Sequence, residues 1–288
     1  MRFNRLTIPL VLFAVVAAGC TTSGTPDVSG MSFSDRPLSG KVIWNDLITE
    51  DIDAARRFYG GLFGWTFEES RGQGGAEYSL ARDGGVYVAG LLATEGRADG
   101  RNVSRWVPYL SVGDVDEALQ RAVGAGANVA ASARDVSLGR VAAIVDPQGA
   151  VIGLANSSIG DPDDRTTRAA PGRPVWHEML SRDPIGSAGF YRLIAGYEIE
   201  TLNRGGGEYT MLIRDGVRRA GIMARPNEGV EPVWLTHFGV SDPAAAARRA
   251  ESLGGSVIAA PSPELRGGTL AIVTDPSGAV LVLSKTSN

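Results

Sequence analysis

The chain has 288 residues, 28 Lys and Arg against 32 Asp and Glu, a formal net charge of −4, and 43% hydrophobic side chains. That balance describes a globular chain able to bury a large core, and its acidic body gives no electrostatic reason to expect nucleic acid or anionic lipid as partner. With one cysteine in 288 residues, no intrachain disulfide framework is possible.

In chain order, Arg2 and Arg5 precede a thirteen-residue apolar run from Leu6 to Ala18. Crossing a hydrocarbon core of roughly 30 Å takes about 20 residues, so this run is too short to span and has the size of a secretory h-region. Ala17-Ala18-Gly19-Cys20 resembles a bacterial lipoprotein lipobox, where the signal is cut before the cysteine and the cysteine is acylated. The resemblance implies a signal peptide over 1–19, lipidation at Cys20, and a membrane-anchored protein at the periplasmic face of the bacterial cell envelope. Thr21 after the cysteine, instead of Asp, resembles outer-membrane sorting in a cell with two membranes. Loss of Arg2 and Arg5 takes the formal charge from −4 to −6. Residues 20–40, rich in Ser, Thr, Gly and Pro, read as a flexible tether.

Beyond the tether the sequence repeats. Trp44, Phe58-Tyr59 and Gly64 return as Trp176, Phe190-Tyr191 and Gly196, all at an offset of 132. Glu77-Tyr78 returns as Glu208-Tyr209, "WVPYLSVGD" from Trp106 as "WLTHFGVSD" from Trp234, and "DPQGAVIGL" as "DPSGAVLVL". Matches in one order over a long span mean duplication. Two domains are expected, over 41–158 and 174–288, with a polar Pro/Gly-rich linker at 159–173.

Each copy divides again. Val42 to Ile48 reads as a strand, Asp51 caps a helix with Ile52, Ala55, Phe58, Tyr59 and Leu62 on one face, and Gly64 closes it. Short strands follow near Thr66–Glu68, Glu77–Ala81 and Val86–Leu92. The second half repeats this, with a strand over Val107–Val112 and a helix from Val115 behind Asp114 and Glu117 at capping-box spacing. Its strands fall at Asn128–Ala131, Val141–Val145 and Val151–Ala155. The unit is βαβββ, and it occurs four times. "DPQGA" and "DPSGA" read as turns, with Pro at the second position and Gly at the fourth.

The phrase carried by Trp44, Asp46, Leu47, Asp51, Ala55, Phe58, Tyr59 and Leu62 to Trp65 resembles tandem glyoxalase-like members of the vicinal oxygen chelate superfamily. That superfamily includes glyoxalase I, extradiol dioxygenases and bleomycin-resistance proteins. The resemblance implies an α+β fold: two tandem glyoxalase-like domains, each a pair of βαβββ modules forming a curved, cup-shaped mixed sheet with helices outside. It also implies where metal-using members place their His, Gln or Glu ligands. Those positions fall here on Trp44, the acid-free strand Val86–Ala93, Val107 and Gly153 in the first domain. In the second they fall on Trp176, Ala220–Ala224, Leu235 and Val282. None keeps a ligand, so no metal or other cofactor is expected.

Strand alternation places Trp44 and Asp46 on the concave face of the first cup with Tyr109, and Trp176, Glu178 and His237 on that of the second. Each cup offers an aromatic wall with one carboxylate, which suits a planar or cationic small molecule. His177 alternates away, toward the helix layer or domain interface. The glycine-rich "RGQGG" and "NRGGG" join second and third strands instead of leading a strand into a helix, which excludes a phosphate cradle. The leading expectation is a non-catalytic small-molecule-binding lipoprotein. The alternatives are a glyoxalase-like lyase or dioxygenase using a displaced metal or acid/base site at Glu178 and His237, and a structural envelope protein.

Overall fold

Strand β1, Val42–Thr49, gives way to helix α1, Ile52–Phe63, at Asp51, whose carboxylate accepts the Ala54 amide at 2.8 Å. Gly64 ends the helix in the left-handed region at φ 75°, its amide donating to the Gly60 carbonyl at 2.9 Å. The computed structural model describes residues 26–71, 75–164, 170–204 and 207–286. The lipobox-like segment 17–20, with Cys20, and the centres of both glycine-rich loops lie outside them. Among the described residues, no helix is long and apolar enough to cross a membrane.

The first repeat continues with β2 (Thr66–Arg71), β3 (Glu77–Asp83), β4 (Val86–Ala93), β5 (Arg105–Ser111), α2 (Val115–Gly124), β6 (Asn128–Val136), β7 (Gly139–Val145) and β8 (Val151–Ser157). They form one eight-stranded sheet, ordered β2-β3-β4-β1-β5-β8-β7-β6. β1 runs parallel to β4 and β5 parallel to β8, while β1 and β5 meet antiparallel at the centre. The second repeat supplies β9 (Pro174–Ser181), α3 (Pro184–Ala195), β10 (Glu198–Arg204), β11 (Gly207–Arg214), β12 (Val217–Ala224), β13 (Val233–Val240), α4 (Pro243–Ser252), β14 (Ser256–Ala259), β15 (Leu270–Thr274) and β16 (Val280–Lys285). Its sheet has the equivalent order, β10-β11-β12-β9-β13-β16-β15-β14. β6 runs past its expected end at Ala131 to Val136, because Asp135 and Val136 pair with Arg140 and Gly139 of β7. This edge strand mixes Ser132, Arg134 and Asp135 with small apolar residues, so alternation does not announce it.

The two sheets stand back to back, and the core between them belongs to both repeats. One cluster joins Val115, Ala118 and Ala122 of α2 to Tyr191 and Ile194 of α3, with Trp234 of β13. The other joins Phe58 and Tyr59 of α1 to Phe238 of β13 and to Ala247 and Ala250 of α4. The helices thus lie on the convex sides, outside the cups. At the centre His177 Nε2 and the Thr236 hydroxyl both meet the Asn45 carboxamide oxygen, at 2.8 and 3.2 Å. His177 therefore sits at the interface to which its alternation assigned it.

The two DPxGA turns do more than turn. Asp146 Oδ1 accepts the amides of Gln148, Gly149 and Ala150, while Oδ2 accepts the Tyr191 hydroxyl of the other repeat at 2.7 Å. Trp234 Nε1 donates to that hydroxyl at 2.8 Å. The mirror clasp joins Asp275 Oδ2 to the Tyr59 hydroxyl at 3.1 Å, with Trp106 Nε1 donating at 3.0 Å.

The flexible tether expected over 20–40 does not hold for its described part, 26–40. The Ser34 amide donates to the Asp161 carbonyl and the Leu38 amide to its carboxylate, at 2.8 and 2.5 Å. Ser111 Oγ donates to that same carboxylate oxygen at 2.5 Å. Val28 and Met31 pack against Tyr78, Leu80, Tyr87 and Leu92. The segment has a linker's composition, but its few large apolar residues find cover on the first sheet, which makes it a strap.

Candidate functional site

The first cup is built outward from β1. Trp44 and Asp46, two residues apart on a strand, share its concave face, and the antiparallel register sets Tyr109 of β5 opposite Trp44. Trp44 Nε1 donates to Asp46 Oδ1 at 2.8 Å, and the Tyr78 hydroxyl from β3 donates to the same oxygen at 2.9 Å. Tyr78 can reach because the facing residue of β4 is Gly90, where a Cβ would come within 1.9 Å of that hydroxyl and 2.3 Å of Asp46 Oδ1. Asp46 is only 2% exposed. Desolvation raises its pKa, outweighing the opposing influence of Tyr78, Trp44, Tyr109 and the charge of Arg134. Tyr109 lies close enough for its hydroxyl to interact with that carboxylate, but among the described residues it makes no hydrogen bond of full geometry. Burial, reinforced by Asp46, also holds the Tyr78 and Tyr109 phenols protonated well above their ordinary range.

Above this polar floor opens a cavity of about 170 Å³. Trp44, Tyr78, Leu80, Tyr87 and Tyr109 line it, and the strap closes its mouth with Val28, Met31 and Phe33. The cup-facing position on β8 is Gly153, and a Cβ there would lie 2.1 Å from the Tyr109 ring. The tyrosine thus occupies the space a larger side chain on β8 would need.

The second cup is organised differently. Trp176 Nε1 donates to the Tyr209 hydroxyl at 2.9 Å, and the Glu178 carboxylate is engaged by Arg266. Arg266 sits in a short 3-10 turn, Arg266–Gly268, at a left-handed φ of 48°, and its guanidinium also covers the Tyr209 ring at 5.3 Å. Burial of Tyr209, with Glu178 nearby, pushes its hydroxyl up to about 12. His237 pairs across strands with Trp176 and, through Nδ1, meets the Ser284 hydroxyl at 2.9 Å, while its buried Nε2 has no partner among the described residues. Desolvation, then the Arg266 charge, push its pKa down to about 3, so it is a neutral imidazole. No hydrogen bond joins it to Glu178 among the described residues, so the acid–base pair of the alternative reading is not assembled.

The positions where metal-using members would place ligands do not fit a divalent ion. Trp44 and Trp176 donate through Nε1, Val107 and Val282 are buried in apolar clusters, and Gly153 has no side chain. Among the described residues, no three His, Cys, Asp or Glu side chains come together.

All six expected cup residues therefore lie where strand alternation put them: Trp44, Asp46 and Tyr109 in one cup, Trp176, Glu178 and His237 in the other. Sequence reasoning passed over Tyr78 and Tyr209 as site residues, although the matched pairs Glu77-Tyr78 and Glu208-Tyr209 carried the signal. It also missed the strap and Arg266, which lie outside regular strands and carry no periodic pattern.

The glyoxalase-like domain family model matches residues 43–155. "Putative glyoxylase CFP32" of Mycobacterium tuberculosis is 34% identical over 247 residues, covering 84% of this chain and 93% of the relative. Anthracycline biosynthesis protein DauV of Streptomyces sp. is 32% identical over 258 residues, covering 83% and 91%. Among solved structures, the Mn(II)-bound glyoxalase from Novosphingobium aromaticivorans superposes with a TM-score of 0.58 at 16% identity, covering 86% of this chain and 83% of that one. A 2,2',3-trihydroxybiphenyl 1,2-dioxygenase from Sphingomonas wittichii gives 0.54 at 14% identity, covering 86% and 90%. The paired βαβββ sheets and the relatives sharing about a third of their residues over nearly their whole length agree: this chain belongs to the glyoxalase-like family of the vicinal oxygen chelate superfamily.

Proposed function

We propose that the chain binds a small aromatic or amphipathic molecule in its first cup, without a metal ion, as a lipid-anchored protein of the bacterial envelope. The observation that carries this reading is the apolar cavity of about 170 Å³ floored by a buried carboxylate and walled by Trp44, Tyr78 and Tyr109. Concave, largely apolar sites with a few converging polar groups are the usual form of a small-molecule site. The names of the relatives, a glyoxylase and an anthracycline biosynthesis protein, keep small organic molecules as the ligand class. Envelope anchoring is supported by the lipobox ending at Cys20.

An enzymatic reading at Glu178 and His237 has one feature in its favour, a His237 Nε2 with no partner among the described residues. Against it, Arg266 engages Glu178, and a group with pKa near 3 is a poor general base at neutral pH. A purely structural role accounts for the second cup, whose carboxylate Arg266 engages, better than for the first.

A thermal-shift screen of the mature protein against aromatic metabolites, with and without a chelator, tests the binding reading. A ligand at a hundred times its dissociation constant adds about 2.7 kcal/mol to folding stability, and that gain is expected to survive chelation and to vanish in Trp44→Ala. Stoichiometric metal in the purified protein, or stabilisation that requires one, overturns it. Acyl labelling in a bacterial host, expected for the wild type and lost in Cys20→Ala, tests the anchor.

A further inference from the structure

We infer that the first cup takes a ligand with a protonated amine on an apolar body about one ring across, the ammonium seated against Asp46 beneath the strap. This deepens the binding reading above and rests on it.

Both hydrogen bonds to Asp46 reach Oδ1, and none reaches Oδ2 among the described residues. Beside it the buried Tyr109 hydroxyl feels the carboxylate but, among the described residues, makes no hydrogen bond of full geometry. A carboxylate and a hydroxyl only loosely engaged with each other thus stand together at the floor of an otherwise apolar chamber. Buried polar groups are normally satisfied, and a place where they are only loosely engaged is a place where a ligand can satisfy them. An ammonium brings three donors, enough for Oδ2 and the Tyr109 oxygen, and cancels the carboxylate charge.

The electrostatics choose among ligands of this size. Tyr78 from β3, Tyr109 from β5 and Arg134 from β6 act on Asp46, while Asp27 on the strap is at the surface. Arg134 is a minor influence on the carboxylate, and desolvation outweighs every compensating contact. An under-compensated carboxylate in a dry site favours a cation over a neutral hydroxyl and repels a second carboxylate. The rings of Trp44, Tyr78 and Tyr109 line the same cavity, and aromatic rings attract cations over their faces.

Volume limits the rest of the ligand. The cavity is about 170 Å³, and an engineered cavity of about 150 Å³ holds benzene. One ring with a short arm fits under Val28, Met31 and Phe33; a fused multi-ring body requires the strap to lift. The second cup has no equivalent vacancy at its carboxylate, because Arg266 supplies the cation from within the chain. That internal guanidinium on Glu178 shows in the same fold what a cation on the equivalent acid of the first cup would complete.

Titration calorimetry of the mature protein with phenethylamine, 2-phenylethanol and phenylacetate tests this. Phenethylamine is expected to bind at least about tenfold more tightly than the alcohol, the scale of one charge-assisted hydrogen bond, with phenylacetate weakest. In Asp46→Asn the amine's advantage is expected to disappear while the alcohol still binds. Equal affinities, or a preference for the alcohol or acid, overturn the inference and leave the binding reading standing. If none of the three binds and no aromatic metabolite stabilises the fold, the binding reading itself fails. The wild-type ranking alone decides the matter should Asp46→Asn fail to fold.

Discussion

Among the described residues His177 and His237 are buried without a carboxylate partner, and desolvation pushes both down to about 3. A base with a depressed folded pKa contributes stability that is fully present above its unfolded value, about 6.5, and is lost as pH falls toward 3. Asp275 works in the opposite sense: burial raises it to about 6, so its contribution is fully present below the ordinary carboxylate value and is lost as pH rises through 6. Because these slopes oppose, the expected signature lies in a comparison. Urea midpoints of His177→Gln, measured from pH 7 to 4.5, should fall less steeply than those of the wild type, by up to about 1.4 kcal/mol per pH unit for one proton. Parallel curves would show that His177 takes up its proton inside the fold. Gly90→Ala is a steric test of the first cup. Its methyl would drive into the Tyr78 hydroxyl and Asp46, so a loss of roughly 1–3 kcal/mol is expected together with loss of ligand-induced stabilisation. At this scale the sequence was legible wherever strand periodicity governs. Trp44, Asp46 and Tyr109 meet because period-two alternation leaves them no other face. Arg266 was illegible because a left-handed turn between β14 and β15 aims it, and no repeat or period encodes that turn.

Among the elements, the strap and the clasps carry predictions of different kinds. Removing residues 26–33 leaves the Ser34 and Leu38 bonds to Asp161 but takes Val28, Met31 and Phe33 from the mouth of the first cup. The shortened protein is expected to accept two-ring probes such as naphthylmethylamine that the full chain binds poorly, as read by quenching of Trp fluorescence. Tyr59→Phe removes the bond to Asp275 and leaves the Trp106 indole N–H unpaired in the core, so a loss of about 1–3 kcal/mol by urea unfolding is expected. In Tyr59→Phe/Asp275→Asn the two losses should not add, since both changes break one bond. Helix α1 was readable because an Asp cap, an apolar stripe and a closing glycine coincide there, and α2 because Asp114 caps a second apolar stripe. The clasps were not, because the local turn chemistry of DPQGA and DPSGA already accounts for every residue in them. Only the tertiary arrangement shows that Oδ2 of each Asp remains available to the other repeat.

For the whole molecule, the repeats were evident from matched aromatic residues, but their mode of union was not. Apolar stripes on α1 and α2 show that these helices must be covered without showing by what. In the structure α2 packs with α3 and α1 with α4, so each core draws on both copies. Separate expression of 26–158 and 170–288 should therefore give chains that expose half of two cores and resist proteolysis poorly. Mixing them should restore protection, and a stable, protected lone fragment would contradict the shared cores. The crossed Tyr–Asp clasps also make the two halves nearly interchangeable partners. A polypeptide holding just one copy would find, in a second molecule of itself, the same aspartate for its tyrosine and the same helix for its stripe. Fusion into a single chain relieves the halves of that obligation to be identical: one concavity could be stoppered by its own arginine while the other stayed vacant beneath an added N-terminal segment.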